Sequence, residues 1–138
     1  MKRIAVIGGG PCGLAAASFL ARAGIAVTIF ESRSESGGMV SATIPGYRTA
    51  SHAIDNDLDR VRVLGVEMRY GQEVGRDISL ESLRAEGFSS IVVAIGARYG
   101  LRLGIEGEDS NGVFDGLDFL RAARIGELPK LGMKIGGV

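Results

Sequence analysis

Ile4-Ala5-Val6-Ile7-Gly8-Gly9-Gly10-Pro11-Cys12-Gly13-Leu14 decides how this 138-residue chain is read. The run from Lys2 to Gly8 is apolar, rich in Ile and Val, and closed by glycines, which describes a fully buried strand. Leu14 to Ala23 is helix-forming, with Gly24 where a C-terminal cap belongs, and Ala26 to Phe30 is a second buried strand. Strand, glycine turn, helix and strand on short connections make a parallel βαβ unit with a right-handed crossover. Gly8 to Gly13 fits G-x-G-x-x-G, a pattern that means little by itself in a glycine-rich chain. Here it follows a strand, opens a helix, and is answered by an acid, Glu31, eighteen residues beyond Gly13. That context is the dinucleotide-binding fingerprint, and the fold class is α/β with a Rossmann-type parallel sheet.

Each residue of the fingerprint has a physical task. Gly8 permits the tight turn, Gly10 leaves room for a pyrophosphate against the backbone, and Gly13 lets the helix close on the sheet. The helix N-terminus offers free N–H groups and a partial positive charge to phosphates. Glu31 is placed to accept hydrogen bonds from ribose hydroxyls, and its charge disfavours a 2′-phosphate there. FAD and NAD both satisfy this description.

Composition narrows the remaining classes. Glycine makes up 22 of the 138 residues, about twice the usual share, but proline is only 3, so neither a collagen-like nor a low-complexity chain fits. Lys+Arg and Asp+Glu balance at 16 each, which asks for neither nucleic acid nor an anionic membrane as partner. One cysteine, Cys12, and one histidine, His52, exclude an internal disulfide framework, a redox dithiol and a Cys/His metal site within the chain. The uncharged run Ile4 to Ala21 mimics a leader or a short membrane span, but Gly8-Gly9-Gly10-Pro11 would break such a helix. The expected setting is the cytoplasm.

Beyond the first unit, Ser32 to Tyr47 reads as loop. Ile54, Leu58, Val61 and Leu64 recur at helical spacing, with Asp55, Asp57, Asp59, Arg60 and Arg62 between them, an amphipathic surface helix over about 50–64 stopped by Gly65. Val66 to Tyr70 and the surroundings of Val74 read as short strands, and Ser79 caps a short helix reaching Glu86. Ser90 to Ile95 is another apolar strand stopped by Gly96, and a last amphipathic helix covers about 116–124. Cys12 reads as a small packing residue of the turn, and His52 and the three aspartates as solvated surface.

The segment VIGGGPCGLAAASFLARAGIAVTIFE resembles the N-terminal FAD-binding part of flavoprotein disulfide-reductase-like enzymes. SGGM at 36–39, IPGYR at 44–48, LGVEM, EVGRDISLESL, VVAIGA, GIEGED and GVFDGLDFL narrow the likeness. Together they resemble the small subunit of NADPH-dependent glutamate synthase and its relatives: the FAD region of dihydropyrimidine dehydrogenase, ferredoxin:NADP oxidoreductase flavoprotein subunits and, more distantly, adrenodoxin reductase. The resemblance covers nearly the whole chain. It implies FAD, with Gly8, Gly10, Pro11 and Gly13 along the pyrophosphate, Cys12 within the same turn, Glu31 at the adenosine ribose, and Ser32 and Arg33 flanking the adenine. Gly38 and Met39 match a second Gly-Gly segment near the ribityl and pyrophosphate groups. Ile44, Pro45 and Arg48 match the family's IP-x-x-R, with Arg48 suited to bidentate pairing with phosphate. Val74 stands where the backbone reads the adenine edge, and Ala94, Ile95, Gly96 and Ala97 on a return strand near the cofactor. The chain departs from the family pattern at Ser41-Ala42-Thr43, where a basic-aromatic-Gly stretch is usual, and at Ile95, where threonine is usual.

The resemblance further implies NAD(P)H as co-substrate through a second domain, an iron–sulfur or substrate-converting partner subunit, and no catalytic acid–base residue, since the flavin carries the electron chemistry. One FAD-binding domain is expected over 1–138, with Lys134 to Val138 echoing the start of the chain as the opening of a second glycine fingerprint. An apolar face left over from that arrangement makes an oligomer plausible. The competing readings are a non-catalytic dinucleotide-binding fragment or subunit that needs a partner, and a domain that takes NAD at its first turn.

Overall fold

The apolar run at the N-terminus becomes β1 (Arg3–Ile7), an inner strand of the computed structural model, which describes residues 2–49 and 51–128. The chain continues through α1 (Pro11–Arg22), β2 (Ala26–Glu31), α2 (Met39–Ala42), α3 (Ser51–Val63), β3 (Glu67–Tyr70), α4 (Leu80–Ala85), β4 (Ser90–Val93) and α5 (Gly116–Ile125). The four strands form one parallel sheet in the order β3-β2-β1-β4, with Ile4 opposite Val27 on one side and Ser90 on the other. The run that mimicked a membrane span is thus divided between a strand, a turn and a helix. Among the described residues no helix is long and apolar enough to cross a membrane.

Both faces of the sheet are covered, which is why its inner strands read as unbroken apolar runs. Val6, Val27 and Ile29 face α1 and α3, meeting Leu14, Ala17, Leu58 and Val61. The alternate positions Ala5, Ile7 and Phe30 face Leu83 of α4 and Phe88, with the Phe30 and Phe88 rings edge to face at 5.6 Å. The buried Thr28 hydroxyl donates to Glu67 Oε2 at 2.9 Å and joins β2 to β3.

The helix signals translate closely into structure. Ser79 accepts the Ser82 N–H at the start of α4, and Asp115 Oδ1 accepts from Leu117 and Asp118 at the start of α5. Asp57 and Asp59 pair with Arg60 and Arg62 on the exposed face of α3, and His52 is exposed, as expected of a solvated surface. Four expectations need correction. α1 begins at Pro11 rather than Leu14, because proline is pre-set for the first helical position. The 32–47 stretch holds the short helix α2, whose four residues are too few to show a period. Around Val74 there is only an isolated bridge to Ile78 rather than a strand. β4 ends at Val93, which is 64% exposed, and among the described residues β1 is its one strand neighbour. The echo at Lys134 to Val138 lies outside the described residues.

Leu83 is the side chain through which the short α4 is fixed to the sheet, and it is fully buried. Leu83→Ala is expected to lower unfolding free energy by about 2–5 kcal/mol. Urea denaturation followed by far-UV circular dichroism measures this, and an unchanged midpoint would contradict the packing described.

Candidate functional site

The carboxyl ends of β1, β2 and β4 converge where the strand order reverses, the position at which open parallel sheets bind ligands. β1 leads into Gly8, whose N–H donates to the Phe30 carbonyl at 2.8 Å and whose φ is +107°. A β-carbon at Gly8 would run into the carbonyl of Ala94 as β4 leaves the sheet. Ala94 is held there by its own N–H, 2.8 Å from the Ile7 carbonyl. At Gly13 a β-carbon would collide with the Gly8 carbonyl, so the absence of a side chain lets α1 close on the turn.

Gly10 is the extended N-cap of α1, and Pro11 is its first helical residue. The first N–H groups of a helix have no intrahelical acceptor. In α1 no side chain caps them and no acid occupies the first turn. A positive helix end therefore opens directly above the glycine turn.

Glu31 closes the other side of the turn. Its carboxylate, only 6% exposed, accepts from the Gly9 N–H at 2.7 Å, the Arg33 N–H at 2.9 Å and the Ser32 hydroxyl at 3.2 Å. It is a strut between the ends of β1 and β2. A carboxylate has about four acceptor sites, so capacity for one further donor remains. Arg33 spans outward from this point, with Nη1 3.4 Å from the Gly38 carbonyl and Nη2 2.8 Å from Glu35.

The second glycine pair docks on the first. Gly37 (φ +110°) donates to the Gly9 carbonyl at 2.8 Å. A β-carbon on Gly38 (φ +55°) would stand 3.0 Å from Gly10 Cα. Two backbones free of side chains thus face each other beside the α1 N-terminus. Met39 opens α2 and is exposed, and the Ile44 N–H donates back to the Met39 carbonyl at 3.0 Å. Ile44 and Pro45 are half-buried.

Other expected site residues lie nearer the rim. The Gln72 N–H donates to the Glu31 carbonyl at 3.0 Å, which brings the approach to Val74 to the same edge of the sheet. Ile95, Gly96 and Ala97 are exposed beyond β4. Arg48 is exposed, with no side-chain hydrogen bond or ion pair among the described residues, so its side chain is not part of the glycine contacts. Cys12 is exposed on the first turn of α1 instead of packed. Sequence reasoning passed over Gly9, the variable position of the fingerprint, and Ser36, buried with its hydroxyl 3.2 Å from the Tyr70 hydroxyl. No short-range signal marks either, because each acts on a partner more than twenty residues away.

The parallel sheet and its glycine turn define an α/β domain of the Rossmann type. Residues 6–63 match the NAD(P)-binding Rossmann-like domain family. The chain is 39% identical to the NADPH-Fe(3+) oxidoreductase subunit beta of Geobacter sulfurreducens, over 97% of this chain and 20% of that protein. It is 44% identical to the glutamate synthase [NADPH] small chain of Mycobacterium tuberculosis, over 86% of this chain and 24% of that one. Mycobacterium tuberculosis FprA, solved in complex with NADPH, superimposes with a TM-score of 0.78 at 24% identity, over 88% of this chain and 28% of its own, a likeness of fold. The resemblance carried by the motifs is borne out. The chain spans about a quarter or less of the length of these curated relatives.

Gly13→Ala is expected to cost about 1–3 kcal/mol of stability, the usual range for forcing an atom into a packed contact. A thermal or urea midpoint equal to that of the unsubstituted chain would show that α1 does not depend on this approach.

Proposed function

We propose that this chain is the FAD-binding, electron-transferring part of an NAD(P)H-dependent oxidoreductase similar to the glutamate synthase small subunit. The observation that carries the reading is the pair of facing glycine backbones, Gly10 and Gly38, beside the uncapped N-terminus of α1. That cradle suits a pyrophosphate, because oxygen atoms reach backbone N–H groups only where no β-carbon intervenes. The residual acceptor capacity of Glu31 suits a ribose hydroxyl. Both features fit a dinucleotide, and the motif series favours FAD.

In this reading Gly8, Gly10, Pro11, Cys12 and Gly13 surround the pyrophosphate, with the α1 N–H groups as donors. Glu31 and Ser32 hold the adenosine ribose, Arg33 and the Val74 backbone the adenine. Gly38, Met39, Ile44 and Pro45 line the ribityl side, and Ala94, Ile95, Gly96 and Ala97 the flavin side. Arg48 swings in to pair with phosphate. FAD supplies the hydride and single-electron chemistry when bound. The protein's own part is to orient the cofactor, neutralise its phosphates with backbone donors and the helix end, and keep 2′-phosphorylated nucleotides away from the Glu31 charge.

The short span of the relatives favours a second statement. The NAD(P)H site and the electron acceptor belong to other parts of the assembly, either a second domain or a partner subunit of the iron–sulfur or substrate-converting kind. By itself the chain is then a cofactor-holding module working in the cytoplasm, and NADPH-dependent dye reduction by this chain alone would refute that statement.

Purified chain titrated with FAD is expected to show a bound-flavin spectrum. Glu31→Gln is expected to weaken FAD roughly tenfold or more, the effect of losing a charged hydrogen-bond acceptor. NADP+ is expected to bind more weakly than NAD+. An absence of FAD binding would overturn the cofactor assignment, and a preference for NADP+ over NAD+ would overturn the role given to the Glu31 charge.

A further inference from the structure

The second glycine segment is joined to the first by one backbone hydrogen bond, from Gly37 to Gly9, and to the chain just beyond β2 by the longer contact of Arg33 with the Gly38 carbonyl. Its other side is held from far along the chain. Arg124, at the end of α5, donates from Nε to the Ser41 carbonyl at 3.0 Å, across 83 residues of sequence. Ser41 is in the last turn of α2, where carbonyls have no helical N–H to accept from, so the guanidinium supplies the missing donor. Nη1 of the same side chain lies over Gly46, where a β-carbon would stand 2.7 Å away. One half-buried arginine therefore bridges α2 and the Ile44–Arg48 turn. Asp115 caps the first turn of α5, and Arg121 on the same helix donates to the Arg98 carbonyl.

The local conformation of the segment makes this bridge consequential. Gly37 and Gly38 both hold positive φ, and Gly38 starts α2 while its carbonyl accepts the Ser41 hydroxyl at 3.1 Å and the Ala42 N–H at 3.0 Å. α2 is a single turn, too short to be stable without outside contacts. Whatever fixes Ser41 therefore fixes the position of Gly38 against Gly10.

The geometry points to Arg124 as a positioning residue that sets the second glycine segment against the phosphate turn and so tunes dinucleotide affinity. The affinity consequence rests on the proposed function, whereas the bridge is present in the free protein and is tested there.

Three variants of the full chain separate the possibilities. Arg124→Met keeps the apolar stem without donors, Arg124→Lys keeps one donor, and Gly46→Ala displaces Nη1 while leaving Arg124 in place. Hydrogen–deuterium exchange on the free chain is expected to rise roughly tenfold across residues 37–46 in Arg124→Met and Gly46→Ala, less in Arg124→Lys, with β1 and β2 unchanged. FAD titration is expected to show affinity falling roughly tenfold in the same two variants, with partial rescue by lysine. Unchanged exchange across 37–46, or exchange raised equally throughout the sheet, overturns the bridge. Locally raised exchange with unchanged FAD affinity overturns its effect on binding. If the unsubstituted chain takes up no FAD, the cofactor assignment falls and the exchange result still decides the bridge.

Discussion

The hydrogen bond from the Gly9 N–H to the Glu31 carboxylate, 2.7 Å long and buried, holds the functional edge of this protein together. A carboxylate this far from water is tolerated only when its oxygens are satisfied, because an unpaired buried charge costs several kcal/mol. Three donors meet that requirement, and two of them are backbone N–H groups that can be nowhere else once β1 and β2 are paired. Gly9 also accepts from Gly37. The first glycine turn, the end of β2 and the second glycine segment are therefore positioned through one residue that carries no side chain.

The remaining geometry follows from that edge. Three parallel strands deliver their carboxyl ends to one place, and the reversal of strand order leaves a gap beyond the carboxyl ends of the paired β1 and β4. Into that gap the chain puts backbone: Gly8 under the Ala94 carbonyl, Gly13 under Gly8, and Gly38 opposite Gly10. The α1 N-terminus adds positive potential without a side chain that would occupy the same space. Positive potential at this edge thus comes from backbone and helix, while Glu31 is satisfied by donors of the protein itself. The glycine abundance of the chain is in part the consequence of this economy of side chains.

Much of this was legible in the residues. The strand–turn–helix–strand order, the caps at Ser79 and Asp115 and the extent of α3 and α5 depend on contacts within a few positions, and such contacts show in local sequence. α2 leaves no mark in the sequence because four residues carry no period, and Val74 forms a bridge rather than a strand because a strand needs a neighbour that the sequence does not announce. Motif position marks Cys12 and Arg48, while their exposure depends on surroundings that a motif does not contain. Arg124 lies 83 residues from its partner and gave no signal at all.

By itself the sequence determined the parallel βαβ unit, the glycine fingerprint and the acid that answers it, because apolar period, helix caps and positive-φ glycines are properties of short segments. Only the tertiary structure decided that Glu31 spends most of its acceptor capacity inside the protein, that the two glycine segments face each other, and that Arg124 of α5 donates to the Ser41 carbonyl. Those are contacts between segments remote in the chain, and they exist only after the sheet has brought its strand ends to a common edge.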